Sequence, residues 1–124
     1  MRCEQKCILV AEDDAIIRRS TINALKPHGY RLLEAVDGQE ALEVAAEHPG
    51  DIHLLITNVC MPRMQGHELA RRIKQGRPKI LILIVSGMQE GGFPREAIHH
   101  SDSLLKPFEP EVLVSKVREL LQSS

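Results

Sequence analysis

The chain has 124 residues, 43% of them apolar, which fits one compact domain with a buried core and argues against disorder. With 16 basic and 17 acidic residues the net charge is −1, so there is no electrostatic footprint for DNA or an anionic membrane. Aromatic residues are confined to Tyr30, Phe93 and Phe108, which excludes stacking platforms for single-stranded nucleic acid and leaves Ile, Leu, Val and Ala to build the core. Cys3, Cys7 and Cys60 cannot all pair within one chain, and Arg2, Glu4 and Lys6 interrupt any secretory segment. The longest apolar run, Ile80 to Val85, is too short to cross a bilayer, so a reducing cytoplasm is the expected location.

In chain order, Cys7 to Ala11 is a continuous apolar run ending in Glu12-Asp13-Asp14, the pattern of a strand covered on both faces. Asp14 then caps a helix beginning near Ala15 and stopped by Pro27 and Gly29. Arg31 to Ala35 reads as a second strand. Asp37 and Glu40 have capping-box spacing and open a second helix that Pro49-Gly50 ends. Ile52 to Thr57 is the third strand, stopping at Asn58, and Val59 to Gly66 is a loop. Leu69 and Ile73 mark a third helix, closed by Gly76 and Pro78. Its basic residues Arg71, Arg72 and Lys74, with Arg77 and Lys79 beyond, read as a solvated helix face and its exit.

Ile80 to Val85 is the fourth strand, and a glycine-rich stretch leads to a fourth helix over about Arg95 to His100. Ser103 to Leu105 is a brief fifth strand before Lys106-Pro107, and a fifth helix follows with Pro110 and Glu111 in its first turn. Five β-α units with right-handed crossovers predict a doubly wound α/β fold, a parallel sheet with helices on both faces. Ligands of such sheets bind beyond the carboxyl ends of the strands, where strand order reverses.

Those ends carry Glu12-Asp13, Asn58, Ser86 and Lys106. Adjacent carboxylates repel, and Mg²⁺, which takes oxygen ligands, relieves the repulsion. Asn58 can offer an amide oxygen, the Cys60 backbone a carbonyl, Ser86 a hydroxyl donor and Lys106 a positive charge for an anionic oxygen. Together they describe a cradle for a phosphoryl group on a side chain. Other signals are weaker. Cys3 and Cys7 are spaced like a metal pair, but Cys7 is better read as a small core residue and His99-His100 as exposed helix-end histidines. Met61 and Met64 are read as support for the site, and Gly87, Gly91 and Gly92 form no phosphate-binding fingerprint.

From about Lys6 to Leu121 the sequence resembles the receiver domains of two-component response regulators, of the chemotaxis-regulator type. The pieces that carry the resemblance are Ile8 to Asp14, Asp37 to Leu42, Leu55 to Pro62, Met64-Gln65-Gly66, Ile84 to Gly87 and Leu104 to Phe108, in the family's order and spacing. The resemblance implies a flavodoxin-like (βα)5 three-layer sandwich with sheet order 2-1-3-4-5, and one receiver domain over 1–124. It assigns Glu12 and Asp13 to the metal-binding pair, Cys60 to the carbonyl ligand, Ser86 to the phosphoryl-following hydroxyl and Lys106 to the invariant lysine. The Lys106-Pro107 bond is expected cis.

Two departures stand out. The family's phosphate-accepting aspartate is replaced by Asn58, whose neutral amide oxygen is no match for an anionic nucleophile. One lost charge at about 4 Å removes roughly 4 kcal/mol of attraction at an effective dielectric near 20, so Mg²⁺ is expected to bind weakly. Asn58 is either native to a receiver that works without phosphorylation or an introduced change that locks the unphosphorylated state. Ser103 stands where the family keeps Tyr or Phe, so a switch that buries a ring is not available.

The expected role is a signalling module, not an enzyme, acting by protein contacts, whether the chain works alone or as the receiver portion of something longer. Its expected partners are a sensor histidine kinase or a phosphotransfer protein, with a second copy of the chain through the fourth-helix, fifth-strand and fifth-helix face as a further candidate. No nucleic acid or membrane is expected to bind. An aspartate-nucleophile phosphohydrolase is the alternative, but it needs Asp where Asn58 and Cys60 stand. A flavin-binding protein of the same fold wants a hydroxyl-rich loop where Glu12 to Asp14 lie.

Overall fold

The computed structural model describes residues 5–59, 61, 64–86, 101–105 and 109–123, with the backbone alone for Ser86, 101–105 and Ser123. Five strands, β1 (Cys7–Ala11), β2 (Arg31–Ala35), β3 (Leu54–Asn58), β4 (Leu81–Ser86) and β5 (Ser101–Leu105), form one parallel sheet in the order 2-1-3-4-5. Four α-helices are described: α1 (Ala15–Leu25), α2 (Gly38–Glu47), α3 (Gly66–Gly76) and α4 (Pro110–Ser123). The helix expected over Arg95 to His100, the pair His99-His100 and Cys3 lie outside the described residues.

Alternation along the buried strands makes two cores. Cys7, Leu9, Ala11, Leu55, Ile82 and Ile84 face one side and pack with Ala41, Ala45, Leu69, Ala70 and Ile73 of α2 and α3. Ile8, Val10, Leu54, Ile56, Leu83 and Val85 face the other and pack with Ile22, Leu25, Leu113, Val117 and Leu121 of α1 and α4. This is the three-layer, flavodoxin-like α/β arrangement expected of strands apolar on both faces. Burial pushes the Cys7 thiol above its ordinary pKa, consistent with a neutral core side chain.

The helix starts follow from local chemistry. Asp14 accepts the Ile16 and Ile17 N–H groups at 2.9 and 3.2 Å. Asp37 accepts the Glu40 N–H at 2.8 Å, while the Glu40 carboxylate reaches back to the Val36 N–H at 2.7 Å, one residue before the cap. A short 3-10 turn, Lys26–His28, finishes α1, and Gly29 closes it with φ 84° in the left-handed region.

Three strands differ from the sequence expectation. β3 begins at Leu54 and not Ile52, because the His53 ring Nδ1 accepts the Cys7 N–H at 3.0 Å in place of a strand carbonyl. It also extends to Asn58, which pairs with Val85. β4 is shifted by one residue, since the Ile80 N–H turns to the Arg77 carbonyl at 3.1 Å. β5 starts at Ser101, two residues early, through pairing of 101–103 with Ile82, Leu83 and Ile84.

The basic cluster on α3 is engaged within the molecule. Glu68 pairs with both Arg71 and Arg72. Lys74 donates to the Ile80 carbonyl at 2.6 Å, and burial lowers its ammonium pKa. Arg77 donates to the carbonyls of Ala45, His48 and Gly50 at 2.8, 3.0 and 2.8 Å, closing the C-terminal end of α2. Arg77→Met is expected to cost about 1–3 kcal/mol, the range for stranding partly buried acceptors, and a urea midpoint measures it. An unchanged midpoint would show those carbonyls to be satisfied by water.

Candidate functional site

Sheet order reverses between β1 and β3, and the residues that end these strands meet there. Ala11 pairs with Thr57, so Glu12 and Asn58 are the next residues on adjacent strands. Both are buried, at 4% and 6% exposure, while Asp13 is exposed. The Asn58 Nδ2 donates to Glu12 Oε2 at 3.2 Å and to Asp13 Oδ1 at 3.3 Å. The Asp14 N–H donates to the same Glu12 oxygen at 3.1 Å. Because the Asp14 carboxylate is used as the α1 cap, the described residues bring two carboxylates and one carboxamide to the pocket.

Neighbouring residues hold this arrangement. Arg18, one turn into α1, donates to the Glu12 carbonyl at 2.8 Å and pairs with Glu34 of β2 at 3.3 Å. The fully buried Thr57 hydroxyl donates to the Asn58 carbonyl at 3.1 Å. The Gly66 N–H donates to the Val59 carbonyl at 2.8 Å, bringing the start of α3 against the end of β3. A Cβ at Gly66 would lie 2.1 Å from the Asn58 carbonyl oxygen, so the approach requires glycine. Met64 packs over Gly38 at the start of α2.

Glu12, Asp13 and Asn58 are therefore brought together. The Ser86 backbone ends β4 opposite Leu105, one register step beyond the Asn58–Val85 pair. Cys60, Lys106 and the Lys106-Pro107 bond lie outside the described residues, as does Pro62. Ser103 occupies the middle of β5, paired with Ile84. Sequence reasoning missed Arg18, and it named Gly66 as a loop and motif residue without foreseeing its close approach to the Asn58 carbonyl. A glycine at the first position of a helix, where it carries a propensity penalty, was the available signal for a close backbone approach.

Mg²⁺ requires near-octahedral oxygen coordination at about 2.0–2.1 Å. Glu12 and Asp13 are suitable donors, but Asn58 turns its N–H hydrogens, not its oxygen, toward both of them. As arranged, these three side chains do not fit the ion. Among the described residues no group of three His, Cys, Asp or Glu side chains converges as a metal site. Nor, among those residues, is any helix long and apolar enough to cross a membrane.

The family model described as "Response regulator receiver domain" matches residues 8–118. The chain belongs to the response regulator receiver family. It is 35% identical over 122 residues to the response regulator receiver protein CpdR of Brucella abortus, covering 94% of this chain and 97% of that protein. It is also 35% identical over 117 residues to the sensor kinase CckA of the same organism, covering 93% of this chain but 12% of the kinase. The solved receiver domain of the hybrid histidine kinase CckA superposes with a TM-score of 0.81 at 31% identity, covering 94% and 99% of the two chains. The chain spans about half the length of several other curated relatives it matches. Receiver domains are the signalling modules of two-component systems. They are generally non-enzymatic, interact with histidine kinases or phosphotransfer proteins, and generally bind Mg²⁺ at an acidic pocket.

Proposed function

We propose that residues 1–124 act as one receiver domain of a two-component pathway that cannot take a phosphoryl group at position 58 and signals by protein contact. The observation that carries this reading is Asn58 at the carboxyl end of β3, buried against Glu12 and Asp13 where the family keeps its phosphate-accepting aspartate. A carboxylate oxygen attacks phosphorus and yields an acyl phosphate, whereas a neutral carboxamide has no comparable stable product. Ser86 and Lys106 keep the hydroxyl and the lysine of the family's phosphoryl cradle, and the Cys60 carbonyl keeps its third metal ligand. Mg²⁺ binding is correspondingly weakened.

The partners in this reading are a sensor histidine kinase or a phosphotransfer protein, in the cytoplasm. The face formed by β5, α4 and the helix expected over 95–100 is the contact surface, also for a second copy of the chain.

The test is incubation with acetyl phosphate or phosphoramidate and Mg²⁺, beside an Asn58→Asp version, followed by intact mass. A base-labile phosphoryl adduct is expected on the Asp version alone. A stoichiometric adduct on the Asn58 chain would overturn the proposal.

A further inference from the structure

We infer that the Asn58 carboxamide is a resident counter-group of the Glu12–Asp13 pair, bridging the two carboxylates without a metal ion and leaving them indifferent to Mg²⁺. The inference rests on the reading of position 58 proposed above. An NH2 group has two hydrogens to donate, and the Asn58 Nδ2 stands 3.2 Å from Glu12 Oε2 and 3.3 Å from Asp13 Oδ1, within reach of both carboxylates. The reverse orientation would set the amide oxygen against two anionic oxygens, so electrostatics alone selects the amide nitrogen for this position. The bridge lies where Glu12 and Asn58 are buried, and charge-assisted hydrogen bonds are strengthened by exclusion of water.

A cation seeking the same two carboxylates must displace both N–H donors and turn the amide through half a rotation to find an oxygen ligand. The bridge also joins the loop after β1 to the end of β3. On this view Asn58 does more than omit a nucleophile. It supplies the positive end of a dipole where the pocket otherwise needs an ion.

Mg²⁺ titration of ¹⁵N-labelled protein tests this, with ionic strength held constant by KCl and thermal melts run in parallel. The native chain is expected to show no saturable shift of the Asn58 side-chain NH2 or of the 12–14 amides up to about 10 mM Mg²⁺, and no rise in Tm. Asn58→Asp is expected to melt lower than native without Mg²⁺, to regain stability with it, and to bind about a hundredfold more tightly or better. Asn58→Ala separates a blocking amide from a merely missing ligand, because removing the bridge frees both carboxylates. Its Tm is expected to rise with Mg²⁺ where that of the native chain does not. Saturable binding by the Asn58 chain at or below about 10 mM Mg²⁺, or an Asn58→Ala variant as indifferent to Mg²⁺ as the Asn58 chain, would overturn the inference. A native chain that binds Mg²⁺ yet takes no phosphoryl group loses this inference alone; one that takes the phosphoryl group loses the reading beneath it.

Discussion

Gly66→Ala is expected to destabilise the protein by about 3 kcal/mol or more, at or beyond the upper end of ordinary overpacking. Helix propensity alone predicts the opposite sign, a gain of up to about 1 kcal/mol for alanine over glycine. Sterics decide the outcome. The new Cβ would stand 2.1 Å from the Asn58 carbonyl oxygen, 3.1 Å from its carbon and 3.3 Å from the Val59 Cα, all backbone atoms that cannot rotate aside. Relief requires the start of α3 to withdraw, which stretches the Gly66–Val59 hydrogen bond of 2.8 Å and disturbs the strand end bearing Asn58. Urea unfolding gives the magnitude, and the Asn58 side-chain NH2 resonances should shift with it. A stabilised Gly66→Ala variant would show that α3 does not approach β3 so closely.

Leu55→Ala carries the second large effect. Leu55 lies in the middle strand of the sheet with no exposure, among Leu9, Leu69, Ile73 and Ile82. Truncation removes its transfer free energy and leaves a cavity between a sheet and two helices that cannot readily collapse, for a cost of about 2–5 kcal/mol. Ile16, 79% exposed at the start of α1, is the matched control, since Ile16→Ala should change stability by less than about 0.5 kcal/mol. Equal losses at the two positions would contradict the burial described for them.

The parts of the fold legible in the sequence were those whose signal is local. Asp14 and Asp37 cap helices with their own side chains, and Pro27 with Gly29 ends one by backbone geometry, so these boundaries needed no tertiary information. β5 is the opposite case. Ser101, Asp102 and Ser103 form no apolar run and become strand through pairing with Ile82, Leu83 and Ile84, which local periodicity cannot register. His53 likewise spends its ring on the Cys7 amide, a contact 46 residues apart that shortens β3 without altering its hydrophobic pattern.

The candidate site divides in the same way. Polar residues placed directly after apolar runs marked Glu12, Asp13 and Asn58, and the reversal of strand order explains why they converge. The direction of the Asn58 amide was not legible, because it depends on two carboxylates approaching one nitrogen from another strand end. The grip of Arg18 on the Glu12 carbonyl was hidden for a similar reason: a basic residue one helical turn along has many partners within reach until the sheet fixes one.

Arg77 has a mechanical consequence beyond its capping role. By grasping three carbonyls at the far end of α2 from a position just past α3, it fastens the two helices at the pole opposite Asn58, while Met64 against Gly38 braces them near the pocket. Held together at both ends, α2 and α3 are expected to resist sliding past one another.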